Sequence, residues 1–242
     1  MSERIDKILV ERELVTTRSQ ALQLIKEKVV FCNDKLVAKA SFKVSEDDRL
    51  EVRKEHLFVG RGAHKIEGAH KEFSLNFKGL VIADVGASTG GFTEYVLKEE
   101  ASKVYAIDVG HGQLSSKLCH DSRVINREGI NIKESLEIDE LCDMAIVDLS
   151  FISLRLVAKN IKNLIKKPGK YLFLVKPQFE VGKDFIGKNG IVSDLTKVQE
   201  VLNELRLFLN NLGIEVKKEM ICTIKGKTGN QEYFFYCEDR ED

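Results

Sequence analysis

Four polar residues lie where an α/β protein places its chemistry, at the ends of its strands. Asp148 closes an apolar run, residues 144–148, ahead of Leu149-Ser150-Phe151-Ile152-Ser153. Lys176 follows another run, 171–175, and Pro177 directly after it fixes the exit direction of the chain. Glu232 opens the last apolar run in Gly229-Asn230-Gln231-Glu232-Tyr233, and Lys65 stands in Arg61-Gly62-Ala63-His64-Lys65-Ile66-Glu67-Gly68. Two amines and two carboxylates can fix one another and orient or move a proton. A lone lysine at a strand end is ordinarily a solvated terminus, so only the set as a whole points to chemistry.

A second constellation precedes it. Val81-Ile82-Ala83-Asp84-Val85-Gly86-Ala87-Ser88-Thr89-Gly90-Gly91-Phe92 reads as a strand, a small-residue turn and a helix start. Small residues let the backbone approach a ligand in the crevice where strand order reverses. Ser88 at the middle glycine position and the Gly90-Gly91-Phe92 exit fit the dinucleotide fingerprint Gly-x-Gly-x-x-Gly poorly. Asp84, just before the turn, suits an amino-acid ammonium group, and Asp108, closing the next strand, suits a ribose diol. The pair matches S-adenosylmethionine, which has an ammonium and a ribose but no phosphate. Asp108 alone suits NAD equally and Asp84 can merely cap the turn, so neither is decisive by itself. The cofactor contacts expected are Asp84, Gly86, Ala87, Ser88, Thr89, Gly90, Gly91, Phe92, Asp108 and Val109, with Asp148 shared between cofactor and chemistry.

The elements that must position these residues follow from periodicity. Apolar strands are expected at 81–84, 103–108, 124–127, 144–148 and 171–175, and helices at 92–98, 113–118, 153–164 and 195–212. Such alternation predicts a Rossmann-like α/β sheet, mostly parallel, with helices on both faces. Segments 215–222 and 232–237 follow one another without a helix, around a turn holding Gly226 and Gly229, and predict an antiparallel strand at the sheet edge. Upstream, Ile5, Ile8 and Leu9 fall at helical spacing with Ser2 placed to cap, and a second helix carries Ala21, Leu22 and Ile25 after Thr16-Thr17. Strands at 29–32, 35–37 and 49–53, the first two joined by an Asn33-Asp34 turn, complete a small α/β module. The expected division is residues 1–54, a linker at 55–63 ending near Gly60-Arg61-Gly62, and a catalytic domain at 64–242.

Bulk properties exclude more than they assign. With 38 basic and 38 acidic residues the net charge is zero, so any nucleic-acid surface must be local. Residues 1–45 hold 9 Lys/Arg against 6 Asp/Glu. Among these Arg4, Lys7, Arg18, Lys26 and Lys28 lie on or beside the two helices, where they can track phosphates, and Arg61 joins them in the linker. A solvated helical face is the plain alternative. Residues 155–188 hold nine basic residues against two acids and flank Lys176. The five cysteines are odd in number and form no Cys-x-x-Cys pair, so neither a disulfide framework nor a metal site is expected. The start shows no basic region followed by an apolar run, and no apolar stretch approaches the roughly 20 residues of a membrane span. A cytoplasmic protein without membrane contact or a stable protein partner is expected.

Arg4-Ile5-Asp6, Arg18-Ser19-Gln20-Ala21, Ile25, and residues 29–33 with Lys35 and Val37 resemble the S4 RNA-binding domain, which docks two helices and the following loop onto structured RNA. Lys28 stands where a glycine is common, Asp34 replaces the glycine of an Asn-Gly turn, and Ala40-Ser41 replaces Pro-Gly. Segments 84–92, 104–114, 147–154, 174–183 and 229–233 extend the resemblance over nearly the whole chain, to the TlyA family. These haemolysin-A-like 2′-O-ribose methyltransferases join an S4 domain to an FtsJ-like catalytic domain. Gly60, Ala63 and His64 depart from the Ser-Arg-Gly-Gly usual near the linker.

The resemblance implies that Lys65, Asp148, Lys176 and Glu232 form the catalytic tetrad and that S-adenosylmethionine is the cofactor. It also implies cytidine of ribosomal RNA, within ribosomal subunits, as the substrate. Some members modify the large subunit alone and some both. The short N-terminus and the end soon after Glu232 resemble the compact form associated with 23S rRNA alone, with 16S rRNA as a further target left open. The modification is expected to confer sensitivity to capreomycin-type antibiotics. A 2′-hydroxyl is a poor nucleophile, whereas the sulfonium methyl is already activated. Lys176 is therefore placed as general base or orienting donor; burial and Lys65 favour its neutral amine, while Asp148 and Glu232 oppose it. The competing readings are a ribosome-assembly factor with an idle methyltransferase domain, a membrane-active protein matching the haemolysin label, a base or protein methyltransferase, and an NAD-dependent oxidoreductase. The intact tetrad, the lack of a span and the turn sequence weigh against them.

Overall fold

A computed structural model describes residues 2–52, 58–134 and 136–240. The Arg53 end of the third N-terminal strand and linker residues 55–57 lie outside those described. The chain divides into two compact units, Met1–Phe58 and Val59–Asp242.

In the first unit β1 (Glu3–Arg4) leads directly into α1 (Ile5–Glu11), followed by α2 (Arg18–Lys26), β2 (Val30–Cys32), β3 (Lys35–Leu36), β4 (Lys43–Val44) and β5 (Leu50–Val52). β1 pairs with β4, and β2 lies between β3 and β5, all antiparallel. Because residues 3–4 are extended, Arg4 rather than Ser2 precedes the helix, and no side chain caps it. The second helix is capped as its sequence implies, Thr17 Oγ1 accepting from the Gln20 N–H at 3.2 Å. Asn33 and Asp34 both take left-handed φ (+49° and +61°), the two-residue hairpin geometry that Asn and Asp tolerate without glycine. Lys28 adopts φ +61° at the point where a glycine is common. Ile5, Leu9, Ala21, Ile25, Val30 and Val44 form the core. Arg12 ties the far loop down, donating to the carbonyls of Asp48, Ser45 and Glu46.

One buried charge organises this small unit. Asp6 is fully buried, and its carboxylate accepts from Arg4 Nε at 2.9 Å and from Arg18 Nη2 at 2.6 Å. The Arg4 hydrogen bond, joined by that of Arg18, outweighs desolvation and holds the Asp6 carboxyl down at about 2.

The second unit contains α3 (Gly62–Phe73), β6 (Val81–Val85), α4 (Gly91–Lys98), β7 (Lys103–Asp108), α5 (Ser116–Cys119), β8 (Val124–Glu128), β9 (Cys142–Val147), α6 (Ala158–Lys162), β10 (Ile165–Val175), α7 (Leu195–Asn211), β11 (Ile214–Ile221) and β12 (Tyr233–Asp239). Its seven-stranded sheet has the order β11-β12-β10-β9-β6-β7-β8. The five strands from β10 to β8 are parallel, as the alternation of strand and helix requires. The expected antiparallel pairing at the edge is present. β12 is its reversed member: it lies between β11 and β10 and is antiparallel to both, because the hairpin returns into the gap beside β10. Two helices are shorter than their periodicity implied. Residues 109–115 form a loop before α5, and the 153–164 stretch breaks at Val157 between a 3-10 turn and α6. α7 buries Val198, Val201, Leu202, Leu205 and Leu209, the 3–4 spacing of an apolar stripe.

The sheet runs outward from β6 in both directions: β7 and β8 to one side, then β9 and β10 to the other. The crevice between β6 and β9 is therefore the topological switch point, and strand ends there face a ligand site.

Asp6→Asn is expected to destabilise the first unit by about 1–2 kcal/mol, less than a fully buried pair would, since both guanidinia reach solvent. Because the folded carboxyl titrates below its unfolded value, wild-type stability from this group is complete above about pH 4 and lost as the pH falls toward 2. Hydrogen exchange of the β2 and β5 amides in the full-length protein at pH 7 and pH 3 checks both points.

Candidate active site

The turn after β6 is shaped by two glycines in left-handed backbone, Gly86 (φ +90°) and Gly90 (φ +94°). A Cβ on Gly86 would stand 2.5 Å from the Asp148 carbonyl oxygen, and one on Gly90 would strike Leu118. Asp148 N–H donates to the Val85 carbonyl at 3.0 Å, so the peptides of the two strand ends are laid against each other. Asp84 lies behind them, wholly buried. Thr93 donates to its Oδ2 at 2.6 Å, while Oδ1 has no hydrogen-bond partner. Desolvation, reinforced by the charges of Asp148 and Asp108 and opposed by Thr93, pushes the Asp84 carboxyl up to about 7. An unpartnered buried carboxylate oxygen at the switch point fits a cationic group such as an ammonium.

Asp108 closes β7 with both oxygens accepting at 2.8 Å, Oδ2 from Ser88 N–H and Oδ1 from Gly110 N–H. Each oxygen keeps a lone pair for a diol. Val109 beside it is 69% exposed, offering an apolar face at the mouth of the crevice. Phe92 differs from the other expected contacts: it is buried and packs against Phe234, so it seats α4 in the core.

The four polar residues meet. Lys65 on α3 donates to Glu232 Oε2 at 2.7 Å and lies 3.8 Å from Asp148 Oδ2, while Lys176 Nζ is 2.5 Å from Asp148 Oδ1. The result is an alternating row, Glu232–Lys65–Asp148–Lys176, in which every charge has an opposite neighbour. Lys65 and Lys176 are each 8% exposed and Glu232 2%, so the attractions are screened little by solvent. Lys65 reaches this position because Lys65, Ile66, Ala69 and Phe73 form the buried face of α3. Glu232 is held by its turn: a Cβ on Gly226 would meet Glu232 Oε1 at 2.5 Å. In that turn Asn230 accepts from Val192 N–H and donates to the Gly190 carbonyl.

Of the expected RNA contacts, Arg4 and Arg18 are brought together on Asp6 with much of each guanidinium exposed. Lys7 lies 3.9 Å from Glu3, and Lys26 and Lys28 are exposed. Arg61 belongs to the second unit, where it donates to the Lys225 carbonyl at 3.0 Å. Among the described residues no group of acidic, Cys and His side chains could hold a metal ion, and no helix is long and apolar enough to cross a membrane.

Sequence reading missed several supporting groups. Thr93 is one, and Glu180 another: buried, it accepts from Ser153 Oγ and Leu154 N–H and so pins the segment after Asp148 to the one after Lys176. Glu128 accepts from the successive N–H groups of Gly112, Gln113 and Leu114 at 3.0, 2.6 and 3.0 Å. Those bonds hold its carboxyl down at about 2 and latch the loop that follows Asp108. A signal existed, because Glu128 ends a strand just as Asp108 does, one residue beyond the expected 124–127.

Fold and site together define a Rossmann-like α/β enzyme in which a glycine turn at the switch point lies next to a paired amine–carboxylate centre. Residues 58–239 match the family model described as FtsJ-like methyltransferase, and residues 3–50 match that of the S4 domain. The chain is 36% identical to the 16S/23S rRNA (cytidine-2′-O)-methyltransferase TlyA of Mycobacterium tuberculosis, over 99% of this chain and 91% of that one. It is 32% identical to the 23S rRNA (cytidine-2′-O)-methyltransferase TlyA of Campylobacter jejuni, over 94% and 96% respectively. A solved hemolysin structure from Streptococcus thermophilus superposes with a TM-score of 0.75 at 35% identity, covering 100% of this chain and 90% of that one. The chain belongs to the TlyA family of FtsJ-like methyltransferases that carry an S4 domain.

Two outcomes are expected of the cofactor crevice. Asp84 titrates above its unfolded value, so its contribution to ligand-free stability is complete below about pH 4 and lost as the pH rises through 7. The melting temperature of Asp84→Asn without ligand should thus gain on that of the wild type between pH 5 and pH 8. S-adenosylhomocysteine, measured by calorimetry, should bind wild type more tightly at pH 7.5 than at pH 6 and bind the variant weakly at both. Glu128→Gln should raise the KM for S-adenosylmethionine about tenfold with little change in kcat, since it loosens the loop beside Asp108 and touches no reacting group.

Proposed function

We propose that the protein is an S-adenosylmethionine-dependent 2′-O-methyltransferase acting on cytidine in ribosomal RNA of the large subunit. The observation that carries this reading is the row Glu232–Lys65–Asp148–Lys176, whose Asp148 ends the strand beside the cofactor turn. The target rests on the relatives: both carry 23S rRNA cytidine in their names, and one adds 16S. We place the protein with its ribosomal substrate in the cytoplasm, and expect cells that have the modification to be more sensitive to capreomycin-type antibiotics than cells that lack it.

S-adenosylmethionine fits the residues present. Its ammonium would lie toward Asp84 and its ribose toward Asp108. Backbone at Gly86, Ala87, Ser88, Thr89, Gly90 and Gly91, the Val109 side chain and Asp148 would complete the walls. When bound, the cofactor supplies a methyl on a sulfonium that needs no further activation. The chain's task is to orient a ribose hydroxyl and take its proton. Lys176 performs it: in the neutral form its nitrogen accepts the 2′-hydroxyl proton, and Asp148 holds that nitrogen in place. Lys65 neutralises the far oxygen of Asp148, and Glu232 anchors Lys65, so the acceptor stays fixed while charge shifts. As the 2′-oxygen is methylated, its proton would pass to Lys176 Nζ, and the cofactor would leave as its neutral thioether with nothing further asked of the chain. Arg4, Lys7, Arg18, Lys26 and Lys28 of the S4 unit, with Arg61, supply phosphate contacts that set register and carry no base readout.

Tritiated S-adenosylmethionine with purified 50S and 30S subunits lacking the modification tests this reading. Label mapped to a 2′-oxygen of a 23S cytidine, absent with Lys176→Ala although that variant still binds S-adenosylhomocysteine, is the expected result. Label on both subunits keeps the chemistry and widens the target. No label on either, with cofactor binding intact, returns the protein to an assembly role.

A further inference from the structure

A lysine amine at the end of a four-carbon stem is a poor acceptor unless its rotation is stopped. Lys176 is stopped at two points: Nζ lies 2.5 Å from Asp148 Oδ1 and donates to Ser150 Oγ at 2.9 Å. We propose that Ser150 is a positioning residue for methyl transfer, the second anchor that aims the Lys176 nitrogen at the 2′-hydroxyl. This rests on the role given to Lys176 above.

The reasoning is tetrahedral. A neutral amine has two N–H groups and one lone pair. Ser150 takes one N–H in a hydrogen bond and the close charge of Asp148 draws the other side of the amine, so the lone pair is left one direction, and that vertex is the place for the substrate oxygen. With Asp148 alone, the amine turns about the remaining contact and its lone pair sweeps a cone. The charged neighbours do not remove this freedom, since Lys65 repels Nζ and is itself engaged by Glu232 and Asp148. The backbone explains how Ser150 reaches the amine. Phe151 next to it holds a left-handed φ of +64°, a costly conformation for an aromatic residue, which turns the chain sharply just after Asp148. Glu180 then fixes the following residues, accepting from Ser153 Oγ and Leu154 N–H at 2.7 Å each. The segment between Asp148 and Ser153 is thus held at both ends with the Ser150 hydroxyl toward Lys176. Ser150 is exposed overall, so its replacement removes a contact without opening the core.

Full-length Ser150→Ala, Ser150→Thr and Lys176→Ala, assayed against wild type with undermethylated subunits, test the inference. Ser150→Ala is expected to lower kcat about 10- to 100-fold, the scale of a misplaced reacting group, with KM for S-adenosylmethionine within about twofold. Ser150→Thr, which keeps the hydroxyl, should recover most of the rate. A second readout needs no turnover: in the 15N-lysine spectrum of the cofactor-free protein, the Lys176 side-chain nitrogen signal, sharp while Ser150 holds the group, should broaden in Ser150→Ala. Wild-type kcat and an unchanged lysine signal in Ser150→Ala, with Lys176→Ala inactive, overturn the role of Ser150 and leave that of Lys176 standing. Equal losses in the Ala and Thr variants also overturn it, since the hydroxyl then does nothing. Turnover retained by Lys176→Ala removes the reading on which the inference rests.

Discussion

The site depends on one steric constraint, the contact of the Gly86 turn with the Asp148 peptide. A side chain on Gly86 would enter the Asp148 carbonyl, and the Asp148 N–H is spent on Val85. The end of β9 therefore has no freedom relative to the end of β6. Asp148 departs from a fixed point, Lys176 closes on Asp148, and Lys65 and Glu232 close on it in turn. Beside that contact Asp84 is buried with one oxygen unpartnered, which a cationic ligand can answer. The candidate cofactor turn and the proposed proton-handling row are in this sense two sides of a single backbone contact.

The two sides solve the problem of buried charge differently. At the row, alternation of sign gives each group an opposite partner within a few ångströms. Behind the turn, Asp84 has Thr93 as donor but no counter-ion, and its carboxyl rises until proton and ligand compete for it. Burial without a counter-ion leaves a receptor; burial with one leaves a rigid tool. The loop after Asp108 belongs to a third type. Its backbone N–H groups converge on Glu128, so an internal carboxylate does there what a bound anion does in other turns.

Much of this was legible in the sequence because strand ends in a parallel sheet are legible. Apolar runs located β6, β7, β9 and β10, and the polar residues at their ends are those the structure gathers. Lys65 was the least legible of the four, since its position on α3 has no strand end to mark it and its role came from the family resemblance. What stayed hidden depended on geometry at a distance. The Glu180 and Ser150 contacts join segments that periodicity treats separately, and nothing about an isolated serine or glutamate announces them. Helix lengths failed where loops carry apolar residues for the site's sake: the chain from Val109 to Ser115 is wrapped around Glu128, not coiled. The placement of Ser2 as a cap failed because β1 pairs with β4, a contact set by residues some forty positions later. The left-handed Asn33-Asp34 pair, in contrast, follows from local chemistry alone and appears as read.

The alternating row also limits how this protein can change over generations. Replacing Lys65 strands the buried Glu232 and replacing Asp148 strands the buried Lys176 without a counter-charge, so either substitution alone costs folding as well as activity. A descendant released from catalysis would be expected to shed these residues in opposite-signed pairs, Lys65 with Glu232 or Lys176 with Asp148, before its fold drifted further. The pattern of paired loss is thus a historical mark by which a retired enzyme in this family could be told from a working one.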